Sequence, residues 1–106
     1  MSESLMLPIS DDVKKYLAES AILIVDQNSS ARVGIKKTVV SMGAELPKVF
    51  MASSYEEAEE TIRASKPRIV FCDYEIDKKS GLELLQKQRT ERPFETKECI
   101  FVLVTA

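Results

Sequence analysis

Ala21-Ile22-Leu23-Ile24-Val25-Asp26 is an unbroken apolar run closed by an acid, and Ile69-Val70-Phe71-Cys72-Asp73 repeats that form further along the chain. Neither run alternates apolar with polar side chains, so each predicts a strand covered on both faces, as in a parallel sheet. A third run, Cys99 to Val104, leads to Thr105 and Ala106. It is the longest uninterrupted apolar stretch and falls far short of a membrane span. Between the runs the pattern turns helical. Asn28 or Ser29 caps a helix that Gly43 ends, with Val33, Val40 and the Lys36 stem expected inward. Lys48 to Ala52 predicts another strand. Ser54 with Glu57 forms a capping box that opens a helix to about Ala64, with Ala58 and Ile62 facing in. Pro67 breaks that helix, and the strand after it is expected from Arg68 to Asp73. Ser80 with Glu83 forms a second box, opening a helix with Leu82 and Leu85 inward that stops before Pro93. Ahead of the first strand, Ser10 caps a short helix with Val13, Tyr16 and Leu17 on one stripe, and residues 1–9 read as a loose tail.

The order is β-α-β-α-β-α-β, which predicts a doubly wound α/β sheet with right-handed crossovers and helices on both faces. Composition agrees. At 106 residues, with 44% hydrophobic and 30% charged side chains, the chain has the make-up of one globular domain. Its net charge of −2 carries no footprint for nucleic acid. The first twenty residues lack a long apolar stretch, which argues against a secretory signal. Cys72 and Cys99 lie inside apolar runs and suit buried thiols in a reducing, cytoplasmic compartment. There is no histidine, which removes Ser–His–Asp triads, His–Cys zinc sites and imidazole acid–base chemistry together.

Open α/β sheets bind ligands at the carboxyl ends of their strands. There the chain places Asp26, Asp73 and Thr105. An Asp closing a strand often only turns the chain or caps the next helix; three such residues at matching strand ends make a stronger signal. Close carboxylates repel and either share a proton or hold a divalent cation. Mg2+ suits the site, because it takes one or two carboxylates and completes its shell with water and phosphate oxygens. A carboxylate there can also act as nucleophile and become an aspartyl-phosphate, with the Thr105 hydroxyl bonding the added oxygens.

From Ala21 to Ala106 the sequence resembles the receiver domain of bacterial two-component response regulators of the chemotaxis type. The resemblance rests on Ile-Leu-Ile-Val-Asp at 22–26, Val-Phe-Cys-Asp at 70–73, Gly-Leu-Glu-Leu-Leu at 81–85 and Val-Leu-Val-Thr-Ala at 102–106. It implies a flavodoxin-like fold over residues 21–106, with 1–20 as tail and short helix. It also implies that Asp73 is the phosphoacceptor, that Asp26 is the first of an acidic pair, and that Thr105 is the switch hydroxyl. Glu75 then offers its backbone carbonyl to Mg2+, and Gly81 is a turn glycine that needs to lack a Cβ. The implied partners are a histidine kinase or phosphotransfer protein and a downstream effector, with no nucleic acid or membrane contact.

Several residues depart from that pattern. Gln27 stands at the second acidic position; its amide oxygen can ligate but adds no charge, so metal binding is expected to be weak. Glu75 could make up the missing carboxylate or crowd the phosphoryl group. Asp77 stands where the family often has proline, which predicts a looser loop after Asp73. The chain reads as truncated after its fourth strand, without the fifth strand and the lysine at its end, so poor activity is expected. The open strand over 99–106 then predicts a homodimer at that edge. Two rival readings stand beside phosphotransfer. One is a receiver-like interaction module that is never phosphorylated. The other is a flavin or nucleotide binder using Gln27-Asn28-Ser29-Ser30 as its phosphate loop.

Overall fold

The computed structural model describes residues 10–90 and 99–104. The expectations for residues 1–9, for the stop at Pro93 and for Thr105 lie outside them. The elements are α1 (Asp11–Glu19), β1 (Ile22–Val25), α2 (Ser29–Ser41), a 3₁₀ turn (Leu46–Lys48), β2 (Val49–Ala52), α3 (Tyr55–Ser65), β3 (Ile69–Asp73), β4 (Glu75–Ile76), β5 (Lys79–Ser80), α4 (Gly81–Thr90) and β6 (Ile100–Val104). Four strands form a parallel sheet in the order β2-β1-β3-β6. The unbroken apolar runs therefore do belong to a parallel sheet. All four residues of β1 are fully buried, each worth about 1.5–3 kcal/mol relative to an exposed side chain.

Side chains alternate across each strand, so the sheet separates two apolar layers. Ile22 and Ile24 meet Leu17, Val39, Ala44 and Ile69 on one face. Leu23 and Val25 join Tyr55, Ile62, Ile76 and Leu84 on the other. Ser10 caps α1 by accepting from Val13 N–H at 3.2 Å, and Leu17 of this helix reaches the first layer while Val13 stays exposed. Helix α2 is capped by Asn28, whose Oδ1 accepts from Ala31 N–H at 3.0 Å. Gly43 follows the helix at φ 127, a conformation open to glycine, and a Cβ there would press on the Lys14 backbone.

Two helix phases differ from the expected ones. In α2 the buried valine is Val39, with Ile35 and Met42 beside it, while Val33 is exposed and Val40 only half-buried. In α4 the fully buried residue is Leu84, while Leu82 is exposed and Leu85 intermediate. Apolar residues on several sides of each helix leave the periodicity ambiguous, and the layer each helix packs against, that of Ile22 and Ile24 for α2 and that of Leu23 and Val25 for α4, chooses the phase. The capping boxes also shift. The Ser54 hydroxyl does accept from Glu57 N–H at 3.1 Å, but the Glu57 carboxylate returns to Ser53, accepting from its N–H at 3.0 Å and its hydroxyl at 2.6 Å. Ser80 caps Leu82 N–H at 3.0 Å, one residue short of the expected Glu83.

The segment after Asp73 is a hairpin. Glu75 faces Ser80 and Ile76 faces Lys79 across an antiparallel pair. Asp77 and Lys78 form its two-residue turn at φ 52 and 65, the positive-φ pair that right-twisted hairpins favour. The expectation of a looser loop is corrected: Ile76 is fully buried in the second layer, and Asp77 is hydrogen-bonded to two other segments.

Candidate functional site

Strands β1 and β3 are neighbours with Val25 opposite Cys72. The next residue on each is an aspartate, so Asp26 and Asp73 leave the sheet side by side, about 4.8 Å apart by strand spacing. Both are partly buried. Asp26 N–H continues the ladder by donating to Ala52 C=O at 3.1 Å. Its Oδ1 accepts from Asn28 N–H at 2.8 Å, and Arg32 donates to its carbonyl oxygen, so both the carboxylate and the backbone are held. Asp73 lies opposite Val104, and Tyr74 N–H donates to Val104 C=O at 3.0 Å. Among the described residues Asp73 Oδ1 accepts a long bond from Glu75 N–H, 3.4 Å, against 2.8 Å for the bond to Asp26 Oδ1.

The Cys72 thiol reports the convergence. Burial, then the charge of Asp73, then that of Asp26, push it up to about 12. Both carboxylates therefore act on one buried sulfur, and that sulfur stays a protonated, inert thiol.

Gly81 begins α4 directly against Asp73. A Cβ at Gly81 would run into the Asp73 carbonyl oxygen and lie 3.2 Å from Cys72 Sγ and from Leu103 Cδ2. Close approach at the start of α4 thus excludes a side chain, and no unusual backbone angle is involved.

The structure brings together Asp26, Asp73, Gln27, Glu75 and Gly81; Thr105 falls outside the described residues. Among the described residues no group of three or more His, Cys, Asp or Glu is placed to hold a metal. What is present is a pair of carboxylates with hard oxygen donors around it. That donor set fits Mg2+, which characteristically takes one or two carboxylates and keeps water in its remaining positions. Sequence reading missed Asp77, which joins the site through Gln27, and Arg32, which braces Asp26. Asp77 was hidden because the usual hairpin signal is Asp or Asn followed by Gly, and here Lys78 follows. No helix of the described residues is long and apolar enough to cross a membrane.

The family model of the response regulator receiver domain matches residues 22–106. The chain belongs to the receiver domain family of response regulators, the family of two-component signalling. It is 33% identical over 76 residues to a protein-glutamate methylesterase/protein-glutamine glutaminase of Rhizobium etli, a match covering 72% of this chain and 22% of that protein. The corresponding enzyme of Rhizobium johnstonii is 32% identical over the same length. The chain thus spans about a fifth of these relatives. The N-terminal domain of a receiver protein from Methanoculleus marisnigri superposes with a TM-score of 0.70 at 24% identity, covering 83% of this chain and 68% of that one. The MaeR response regulator bound to beryllium trifluoride gives 0.66 at 17%, covering 80% and 66%. These two likenesses establish the fold, a flavodoxin-like receiver, and no more.

Receiver domains as a family serve phosphorelay signalling, bind Mg2+ at their phosphorylation site and interact with histidine kinases and effector domains. They are not, in general, catalytic enzymes.

Proposed function

We propose that Asp73 accepts a phosphoryl group from a histidine kinase or phosphotransfer protein. The observation that carries this is the pairing of Asp26 and Asp73 on adjacent strand ends, with the longer of the two bonds among the described residues on Asp73. An Asp73 oxygen attacks phosphorus, the bond from phosphorus to the donor's nitrogen breaks, and the donor imidazole leaves with a proton. The Asp26 and Asp73 carboxylates, the Glu75 carbonyl and the Gln27 amide oxygen would hold Mg2+, which offsets the negative charge of the transferring group. Gly81 keeps α4 close behind the acceptor. Asn28 and Arg32 hold Asp26 in place. Thr105 is the proposed switch hydroxyl, and the output is a shift of population that changes effector binding. With an amide at position 27, metal affinity and labelling should fall below those of a site with a full acidic pair.

We place the receiver at 21–106, with α1 part of an extension over 1–20. The burial of Cys72 and Cys99 in the apolar core supports a reducing, cytoplasmic setting. Self-association at β6 is part of the proposal. Among the described residues β6 is paired on one side by β3, and it exposes Ile100 and Val102. An apolar groove of about 620 Å³ runs beside it between Val102, Val104, Phe71 and α2. A receiver-like interaction module that is not phosphorylated is the second reading, and Gln27 is the residue that favours it. Acetyl phosphate with Mg2+ separates the two. Labelling that disappears in Asp73→Asn and in EDTA supports phosphotransfer; no labelling of the full-length protein supports the second reading.

A further inference from the structure

Asp77, at the tip of the β4–β5 hairpin, joins three segments of the sheet edge through one carboxylate. Oδ1 accepts from Gln27 Nε2 at 2.7 Å, and Oδ2 accepts from the Tyr55 backbone N–H at 3.0 Å. Gln27 follows β1, Asp77 follows β3, and Tyr55 opens α3. The hairpin is also held by buried Ile76 and by Lys79, whose Nζ lies 4.5 Å from the centre of the Tyr55 ring. A hairpin of two residue pairs cannot sustain itself in water, so these ties set its position. That position matters because the hairpin begins with Glu75, two residues beyond Asp73.

We propose that Asp77 is a positioning residue of the metal and phosphoryl site, clasping the hairpin to Gln27 and α3 and supplying from position 77 the negative charge that position 27 lacks. Its role toward Mg2+ rests on the reading of Asp26 and Asp73 as the metal-holding pair; the clasp itself does not. The chemistry makes positions 27 and 77 interdependent. An acid at 27 would set a second carboxylate at hydrogen-bonding distance from Asp77, and like charges that close cannot both stay ionised without cost. An amide donates instead. The Asp77 carboxylate has no proton to give, so it takes the NH2 side of Gln27 and leaves Oε1 as the lone-pair atom that a cation can use. A bond to an ionised acceptor is roughly twice as strong as a neutral one, and Asp77 makes two. The turn itself tolerates the test, since asparagine accepts positive φ at least as well as aspartate.

The experiment compares wild type, Gln27→Glu, Asp77→Asn and the protein carrying both changes, each unfolded in urea with EDTA. Each single change should lower the midpoint, and the double change, which exchanges acid and amide, should recover most of the loss. Losses that simply add would overturn the clasp. Mg2+ titration of the same proteins reads the charge. Asp77→Asn should weaken binding on the order of tenfold, as expected for removing one charge several ångströms from a divalent ion, and the double change should restore it. Unchanged affinity in Asp77→Asn would overturn the charge role. A wild type that takes up no Mg2+ would overturn the metal reading of Asp26 and Asp73 together with that role, while the urea cycle in EDTA would still judge the clasp.

Discussion

Gly81→Ala places one methyl group where the fold has no room for it. The new Cβ would meet the Asp73 carbonyl oxygen, which is backbone and cannot swing aside, with Cys72 Sγ and Leu103 Cδ2 also in contact at 3.2 Å. Relief requires α4 to move away from β3, or Asp73 to move with its carbonyl. Overpacking of this kind costs about 1–3 kcal/mol. Alanine's higher helix propensity returns at most ~1 kcal/mol, and less at a first helical position where the helix is not yet fully hydrogen-bonded. A net loss of roughly 1–2 kcal/mol corresponds to a fall in Tm of about 4–12 °C for a domain of this size. Thermal unfolding followed by circular dichroism measures it. Because the clash is with Asp73 itself, Gly81→Ala should also slow labelling by acetyl phosphate. A Tm equal to or above wild type would refute the close-approach reasoning and leave Gly81 as an ordinary helix-start residue.

Leu84→Ala should cost about 2–5 kcal/mol by opening a cavity in the layer that contains Ile76 and Val70, whereas Leu82→Ala, at an exposed position, should stay within about 0.5 kcal/mol of wild type in urea unfolding. Lys78→Gly should stabilise the hairpin by up to ~1 kcal/mol, since Lys78 holds φ 65 against the left-handed penalty of L residues; a destabilised variant would mean that the lysine side chain contributes more than the turn strain costs. Ser53 hydrogen bonds, aided by the charge of Arg32, hold Glu57 below the ordinary carboxylate range. Its contribution is therefore present above the unfolded-state pKa and is lost as pH falls through the lower folded-state value. Glu57→Gln should narrow the stability gap to wild type in acid, and a gap independent of pH would refute the assignment.

The sheet was legible because its strands are continuous apolar runs, and burial on both faces leaves no other residue type acceptable in β1. The paired aspartates were legible for the same reason: each stands at the first position where the chain leaves the apolar layer. Helix phase was harder to read. In α2, valines at 33, 39 and 40 lie on more than one side of the helix, and only packing against the layer of Ile22 and Ile24 selects Val39. In Gly-Leu-Glu-Leu-Leu the leucines offer three candidates, and Leu84 is chosen by a hairpin that the sequence did not announce. That hairpin escaped notice because its turn is Asp-Lys, which adopts positive φ through long-range ties to Gln27 and Tyr55 instead of through a glycine. Contacts between residues fifty positions apart leave no periodic trace.

The central claim is that Asp73 is the group modified, and locating the modification tests it most directly. The full-length protein is treated with a small phosphodonor and Mg2+, digested, and mapped by mass spectrometry. The account predicts a single acid-stable, base-labile phosphoryl group on the peptide containing Asp73, lost in Asp73→Asn. A phosphoryl group on Asp26 or Asp77, or one that persists in Asp73→Asn, would contradict it.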